Sequence, residues 1–367
     1  MTERLDCAVV GGGVVGLAIF RKLALRGRQV VLFEAERATG MHTSSRNSEV
    51  LHAGIYYPTG SLKARLCVEG RRMLESYCSS HAISWRRIGK IVVAGSEAEI
   101  PELERYKAQG HTNGLDDLAW LEREQVRQLE PSVSCVRALS SPSTGLIDSH
   151  GLMLALANDA RAAGGDIVLG SPVTGGTLVD DGIDLDIGGR DPGRFRFRTV
   201  VNAAGFSAPA VARSLRGLDA KFVPLPYFAK GHYFTVSGPS PFKRLVYPLP
   251  GSDGLGIHVA LDLAGNLRFG PDVTWVDAVD YAFDENRADA FYRAIRRYYP
   301  GLADGALAPG FVGVRPKLAP AGSGFSDFVV QGREVHGVSG LLNLFGIDSP
   351  GLTSCLAIAD EVARRLD

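Results

Sequence analysis

At 367 residues the chain exceeds one average domain and is long enough for two. Its 45% hydrophobic and 22% charged residues can fill a sizeable core, which argues against a disordered chain. Lys plus Arg equals Asp plus Glu at 40 each, so no global field draws it to nucleic acid or an anionic membrane, and charge recognition has to be local.

In chain order, residues 5–10 read as a buried strand, 11–16 as a turn, 17–25 as a helix and 29–34 as a second strand, a compact βαβ unit. From Ser61, apolar Leu62, Leu66, Met73, Leu74 and Tyr77 recur at roughly helical spacing, and 88–94 follows as a strand. Residues 97–109 and 118–129 read as surface helices, the second stopped before Pro131. A helix over 149–163 ends at Gly164 and Gly165, ahead of strands at 166–169 and 198–203. From 222 to 270, short alternating strands between Pro and Gly turns indicate an antiparallel sheet. A helix over 285–298, a strand over 341–345 and a helix after Pro350, which suits a first helical turn, close the chain. This order predicts an α/β fold: a discontinuous Rossmann-like domain (1–82, 146–218 and 312–367) with an inserted mixed α+β substrate domain (83–145 and 219–311) built on an antiparallel sheet.

Five cysteines, Cys7, Cys67, Cys78, Cys135 and Cys355, are scattered and never form a C-x-x-C pair. That argues against a disulfide frame or a metal site and for a reducing, cytoplasmic compartment. The apolar stretch 7–20 is broken by three glycines and followed by Arg21 and Lys22, unlike a signal peptide. No run is long enough to be an integral membrane segment, which leaves peripheral membrane contact open.

Residues 11–16, Gly-Gly-Gly-Val-Val-Gly, satisfy G-x-G-x-x-G. Gly11 would make the tight turn, Gly13 the close approach to a pyrophosphate, and Gly16 the helix-on-strand packing, with Val15 between them. The helix that follows aims its first amides at phosphate. Glu34 ends the second strand, where an acid binds ribose hydroxyls and disfavours a 2′-phosphate. FAD and NAD both satisfy this pattern.

The stretch 41–58, with Thr-Ser-Ser-Arg-Asn-Ser-Glu-Val-Leu-His-Ala-Gly-Ile-Tyr-Tyr-Pro at its heart, resembles the D-amino-acid-oxidase-like flavoproteins. More closely, it is similar to the L-2-hydroxyglutarate dehydrogenase group. Residues 60–68, 89–94, 246–250, 313–315 and 344–354 extend the resemblance along nearly the whole chain. It implies FAD, held without a covalent bond, with Ser44, Ser45, Asn47 and Ser48 on the loop that covers the pyrophosphate and flavin. It further implies adenine contact at Val173, close approach at Ala203, Ala204 and Gly205, and a flavin-closing turn made by Gly346, Ile347, Asp348, Gly351, Leu352 and Thr353. Helix-start amides at that turn would stabilise negative charge on the reduced ring.

The implied reaction is oxidation of an L-2-hydroxy acid to the 2-oxo acid by hydride transfer to flavin N5, with electrons passed on to a quinone or an electron-transfer protein. The substrate, a small carboxylate, needs an anchor and a base. Arg315 suits the anchor because a guanidinium grips a carboxylate through two parallel hydrogen bonds. For the base, His52 ranks ahead of His258, since neutral imidazole has the right proton affinity. Tyr56, Tyr57, Lys230 and Tyr247 are candidates to bind a second carboxylate or a carbonyl oxygen. His52 also resembles the histidine that dimethylglycine-dehydrogenase-like proteins join covalently to flavin. Two features depart from the L-2-hydroxyglutarate dehydrogenase group and count against 2-hydroxyglutarate as the substrate. His232 stands where an acid is expected in the nearest relatives, and Arg315 is followed by Pro-Lys-Leu-Ala-Pro, which is more similar to the amine-oxidising branch and keeps an amine or amino-acid oxidase of the same fold as the alternative. A non-catalytic flavin-binding subunit is the reading from another class.

Overall fold

The structure, a computed structural model, describes residues 4–249 and 256–366. Pro250, the last residue of the family-like stretch 246–250, lies outside the described residues. The chain divides into two compact units: Met1–Ser45, Ser149–Phe228 and Arg315–Asp367 form one, Arg46–Asp148 and Ala229–Val314 the other. The first segment of the dinucleotide domain therefore stops at Ser45 rather than at 82. Helix Leu62–Ser80 goes with the second unit because its Val68 joins the core made by Val50, Ala53, Ile55 and Ile91–Ala94. The remaining boundaries fall at 148/149, 228/229 and 314/315 instead of 145/146, 218/219 and 311/312.

In the first unit the parallel strands run in the order Asp166–Val168, Val30–Phe33, Arg4–Val10, Gly193–Asn202 and Leu341–Phe345. Cys7, Ala8 and Val9 are fully buried, the continuous apolar run expected of a strand covered on both faces. Helix Val14–Leu25 packs against helices Ser149–Ala162 and Gly351–Leu366. It buries eight of its twelve residues, so its apolar residues wrap well round it rather than forming one stripe. Strands Val173–Val179 and Gly182–Ile187, which the sequence reading missed, form an antiparallel meander with Gly193–Asn202. Pro350 precedes the last helix rather than opening its first turn: its carbonyl accepts the Ser354 amide at 2.9 Å.

The second unit is built on an eight-strand path from Thr274–Val276 to Ala119–Glu122. Among the described pairs it is mostly antiparallel, with a parallel pair where Leu245–Pro248 meets Lys90–Ala94. The helix expected over 118–129 is split into strand Ala119–Glu122 and helix Arg123–Leu129. Glu122 caps the short helix, with the Glu122 amide bonded to Gln125 Oε1 at 2.8 Å, and Trp120 pairs with Leu139 across the sheet. Helix Leu62–Ser80 starts where Ser61 Oγ accepts the Ala64 amide at 3.1 Å, a cap worth about 1 kcal/mol.

Candidate functional site

In the first unit, the turn after strand Arg4–Val10 is shaped by three glycines with different duties. Gly11 has φ +105°, and a Cβ there would lie 2.6 Å from the Ala203 carbonyl oxygen. Gly16 would place a Cβ 1.9 Å from the Gly11 carbonyl oxygen, so its hydrogen is what lets the turn close under the helix. Gly13 has ordinary extended backbone, φ −73° and ψ 173°, and a Cβ there would meet Ser44 Oγ at 3.0 Å. Gly11 and Gly16 thus build the turn, while Gly13 leaves open the surface where phosphate approaches helix amides in such motifs.

Glu34 is buried and its carboxylate accepts from the Gly12 amide at 2.6 Å and the Glu36 amide at 2.8 Å. Those bonds fix the acid at the edge of the turn, and each carboxylate oxygen retains a lone pair for a ribose hydroxyl. Ser44 Oγ accepts the Val14 amide at 2.9 Å, which ties residue 44 to the start of the helix. Of the covering loop, Ser45 bonds back to the His42 carbonyl, and Asn47 Oδ1 accepts the Glu49 amide at 2.7 Å, supporting that residue's φ of +54°. Among the four loop candidates, Ser44 is bonded to the glycine turn.

Val10, Phe33, Asn202 and Phe345 end parallel strands at the carboxyl edge, where ligands bind in open α/β sheets. Buried Asn202 donates to the Ala208 carbonyl at 2.8 Å and to Asn343 Oδ1 at 2.9 Å, tying the Ala203–Ala204–Gly205 turn to the last strand. Gly346 has φ +66°, and Asp348 accepts Lys317 Nζ at 2.5 Å, so the Asp348 side chain braces its turn instead of projecting from it. Gly205, Phe206, Lys317, Leu318 and Gly346 are among the residues that line one shallow depression. Val173 begins the strand of the meander paired to Ile187. These residues fit a dinucleotide: a turn closed to side chains at Gly11 and Gly16, a helix start beside it, a fixed acid and a glycine-rich second turn.

The second unit brings four of the candidates together. The Tyr56 and Tyr247 rings stack 6.4 Å apart, and Tyr247 stacks on His258 at 3.6 Å. Lys90 is 1% exposed, and its ammonium lies 4.4 Å from the Tyr56 ring centre and 4.6 Å from that of Tyr247. Burial pushes the Lys90 ammonium down to about 7, and burial followed by the nearby Lys90 charge pushes the His52 imidazole down to about 3. The His52 Nδ1 atom is sealed from solvent although part of the residue is exposed. The Cys67 thiol donates to the His52 carbonyl at 3.5 Å. Lys90 was missed from sequence; its signal was a lone cation opening the apolar strand Lys90–Ala94, all five residues of which are buried.

Register separates Lys230 from this cluster. Val246 pairs with Ile91 and Val259, Val259 with Phe269, and Phe269 with Phe234, so these residues share one face of the sheet. Alternation puts Lys230 and His232 on that face, and Lys90, Tyr247 and His258 on the other. Lys230 is ion-paired with Asp280 at 2.6 Å, which removes it as a partner of Tyr247. His232 sits against Asp272 at 3.1 Å, an acid that also takes Arg287. The departure at position 232 therefore falls on the face turned away from the ring cluster. Tyr57 has its carbonyl fixed by Asn113 Nδ2 at 2.9 Å. Arg315 lies on strand Leu307–Lys317 and belongs to the first unit.

Among the described residues no helix is long and apolar enough to cross a membrane. The family model described as FAD dependent oxidoreductase matches residues 6–365. The mitochondrial L-2-hydroxyglutarate dehydrogenase of Arabidopsis thaliana is 43% identical over 403 residues, covering 99% of this chain and 83% of that protein. That of Pongo abelii is 30% identical, covering 100% and 89%. Among solved structures, dithionite-reduced L-alpha-glycerophosphate oxidase from Mycoplasma pneumoniae with FAD bound superposes with a TM-score of 0.87 at 27% identity, covering 99% of this chain and 95% of that one.

Proposed function

Because the chain belongs to the FAD dependent oxidoreductase family, we propose that it oxidises L-2-hydroxyglutarate to 2-oxoglutarate. The observation that carries the substrate is the near full-length match to a dehydrogenase of that name. FAD, when bound, supplies the acceptor for the two electrons that leave Cα with its hydrogen. Gly13, Val15, Ser44 and Glu34 would hold its pyrophosphate and ribose, and the Gly346–Ile347 turn with the helix start at Gly351, Leu352 and Thr353 would contact its ring. The cofactor is held without a covalent bond, and its electrons pass to a quinone or an electron-transfer protein.

His52 takes the hydroxyl proton. Burial keeps the imidazole neutral, and the two negative charges of the substrate raise its affinity for a proton once bound. Tyr56, Tyr247 and His258 form a rigid ring wall, and Arg315 anchors the α-carboxylate. The test is anaerobic mixing of purified protein with L-2-hydroxyglutarate, its D-enantiomer, glycine and glycerol phosphate. Bleaching of the flavin by the L-hydroxy acid alone, with 2-oxoglutarate formed in equal amount, is expected. Bleaching by an amine and not by the hydroxy acid would refute the assignment.

A further inference from the structure

We propose that Lys90 is a positioning residue for this reaction: its ammonium clamps the Tyr56–Tyr247 stack that carries His258 and keeps positive charge off His52. The inference rests on the reading of His52 as the proton acceptor.

A buried ammonium normally has carboxylate or carbonyl partners, because desolvating it alone is costly. Among the described residues no acid pairs with Lys90; its ammonium lies against two ring faces, at 4.4 and 4.6 Å. The ring faces attract the cation, and the cation in turn fixes both rings on one side of the sheet. Tyr247 carries that fixed position to His258, stacked on it at 3.6 Å with only 4° between planes.

The neighbours leave the charge uncompensated. On helix Leu62–Ser80, burial pushes the Cys67 thiol up to about 12, and Arg71 is paired with Glu75 at 3.3 Å. Burial also holds the Tyr56, Tyr106 and Tyr247 phenols well above the usual range, so all three are neutral. On the flanking strand Arg137–Ser141, the residue opposite Lys90 is uncharged Ser141. Lys90 is thus the cation that acts on His52, and it does so after burial itself.

Such a lysine weakens the fold. Its folded pKa lies below its unfolded value, so the penalty is full below about pH 7 and fades as pH rises toward 10.5. A group kept only for stability would not have this sign.

The experiment compares wild type, Lys90→Met, Lys90→Gln, Lys90→Arg and His52→Ala as holoenzymes, measuring the pH dependence of kcat and, separately, thermal melting at pH 6 and pH 10. With the cation removed, His52 gains affinity for a proton, so the acid limb of kcat moves up by about 0.5–1 unit in Lys90→Met and Lys90→Gln. Lys90→Arg keeps the limb in place. At pH 6 Lys90→Met melts no lower than wild type, and any gain shrinks by pH 10. An unmoved limb in both neutral variants, or loss of the fold in both, overturns the proposal. The parallel His52→Ala separates the two failures: undiminished flavin reduction there ends the base reading, whereas slow reduction with an unmoved limb in Lys90→Met ends the Lys90 proposal alone.

Discussion

The glycine turn makes opposite predictions for two substitutions that a motif treats alike. Ordinary contact for a Cβ begins at 3.4 Å; at Gly13 the shortfall against Ser44 Oγ is 0.4 Å, and at Gly16 the shortfall against the Gly11 carbonyl oxygen is 1.5 Å. Gly13 has backbone angles open to any residue, so Gly13→Val needs only a small rotation of Ser44. If the Ser44–Val14 bond is lost the cost is about 1 kcal/mol, a fall in Tm of about 2–4 °C. The branched side chain nevertheless covers the surface through which phosphate reaches the helix amides. Losing two charge-assisted hydrogen bonds there, about 3 kcal/mol together, weakens FAD at least about 100-fold. Gly16→Ala instead pushes on a backbone oxygen whose residue is held at φ +105° by its amide bond to the Phe33 carbonyl at 2.8 Å. No side-chain rotation relieves that, and the expected cost exceeds about 4 kcal/mol. Apoprotein melting and FAD titration by flavin fluorescence on both variants make the comparison. Folded Gly13→Val with wild-type FAD affinity, or Gly16→Ala with wild-type melting, would show that the cradle has been misread.

His52→Ala should slow anaerobic flavin reduction about 10²- to 10⁴-fold with FAD still bound, while His258→Ala, which removes a ring from the wall, should have the smaller effect. Equal rates in the two variants would point to another base. Arg315→Leu should lower kcat/KM by about 2–4 kcal/mol, with Arg315→Lys only a partial substitute because an ammonium lacks the planar fork. If replacing the substrate's α-carboxylate by an amide costs Arg315→Leu as much as wild type, the anchor is elsewhere.

Local signals in the sequence were enough to define the dinucleotide turn. Strand, glycines, helix and Glu34 lie within residues 4–34, and the steric demand at Gly16 comes chiefly from nearby Gly11, whereas that at Gly11 comes from Ala203 and Ala204, far along the chain. The parallel strands were legible for the same reason, as short apolar runs bounded by glycine. What only tertiary structure decided was which residues share a face. Helical spacing over 118–129 lost to strand pairing of Trp120 with Leu139 and to the cap at Glu122, both outside the reach of periodicity. Lys230 and Tyr247 looked equivalent as polar candidates in family-like stretches, yet a chain of cross-strand pairs from Ile91 to Phe234 sends them to opposite faces. Lys90 was hidden because its environment is assembled from segments far apart in the chain: the Tyr56 and Tyr247 rings, and the loop that carries His52. A cation's burial depends on what packs over it, and strand register, which fixes that packing, is a property of pairs of segments and not of either one alone.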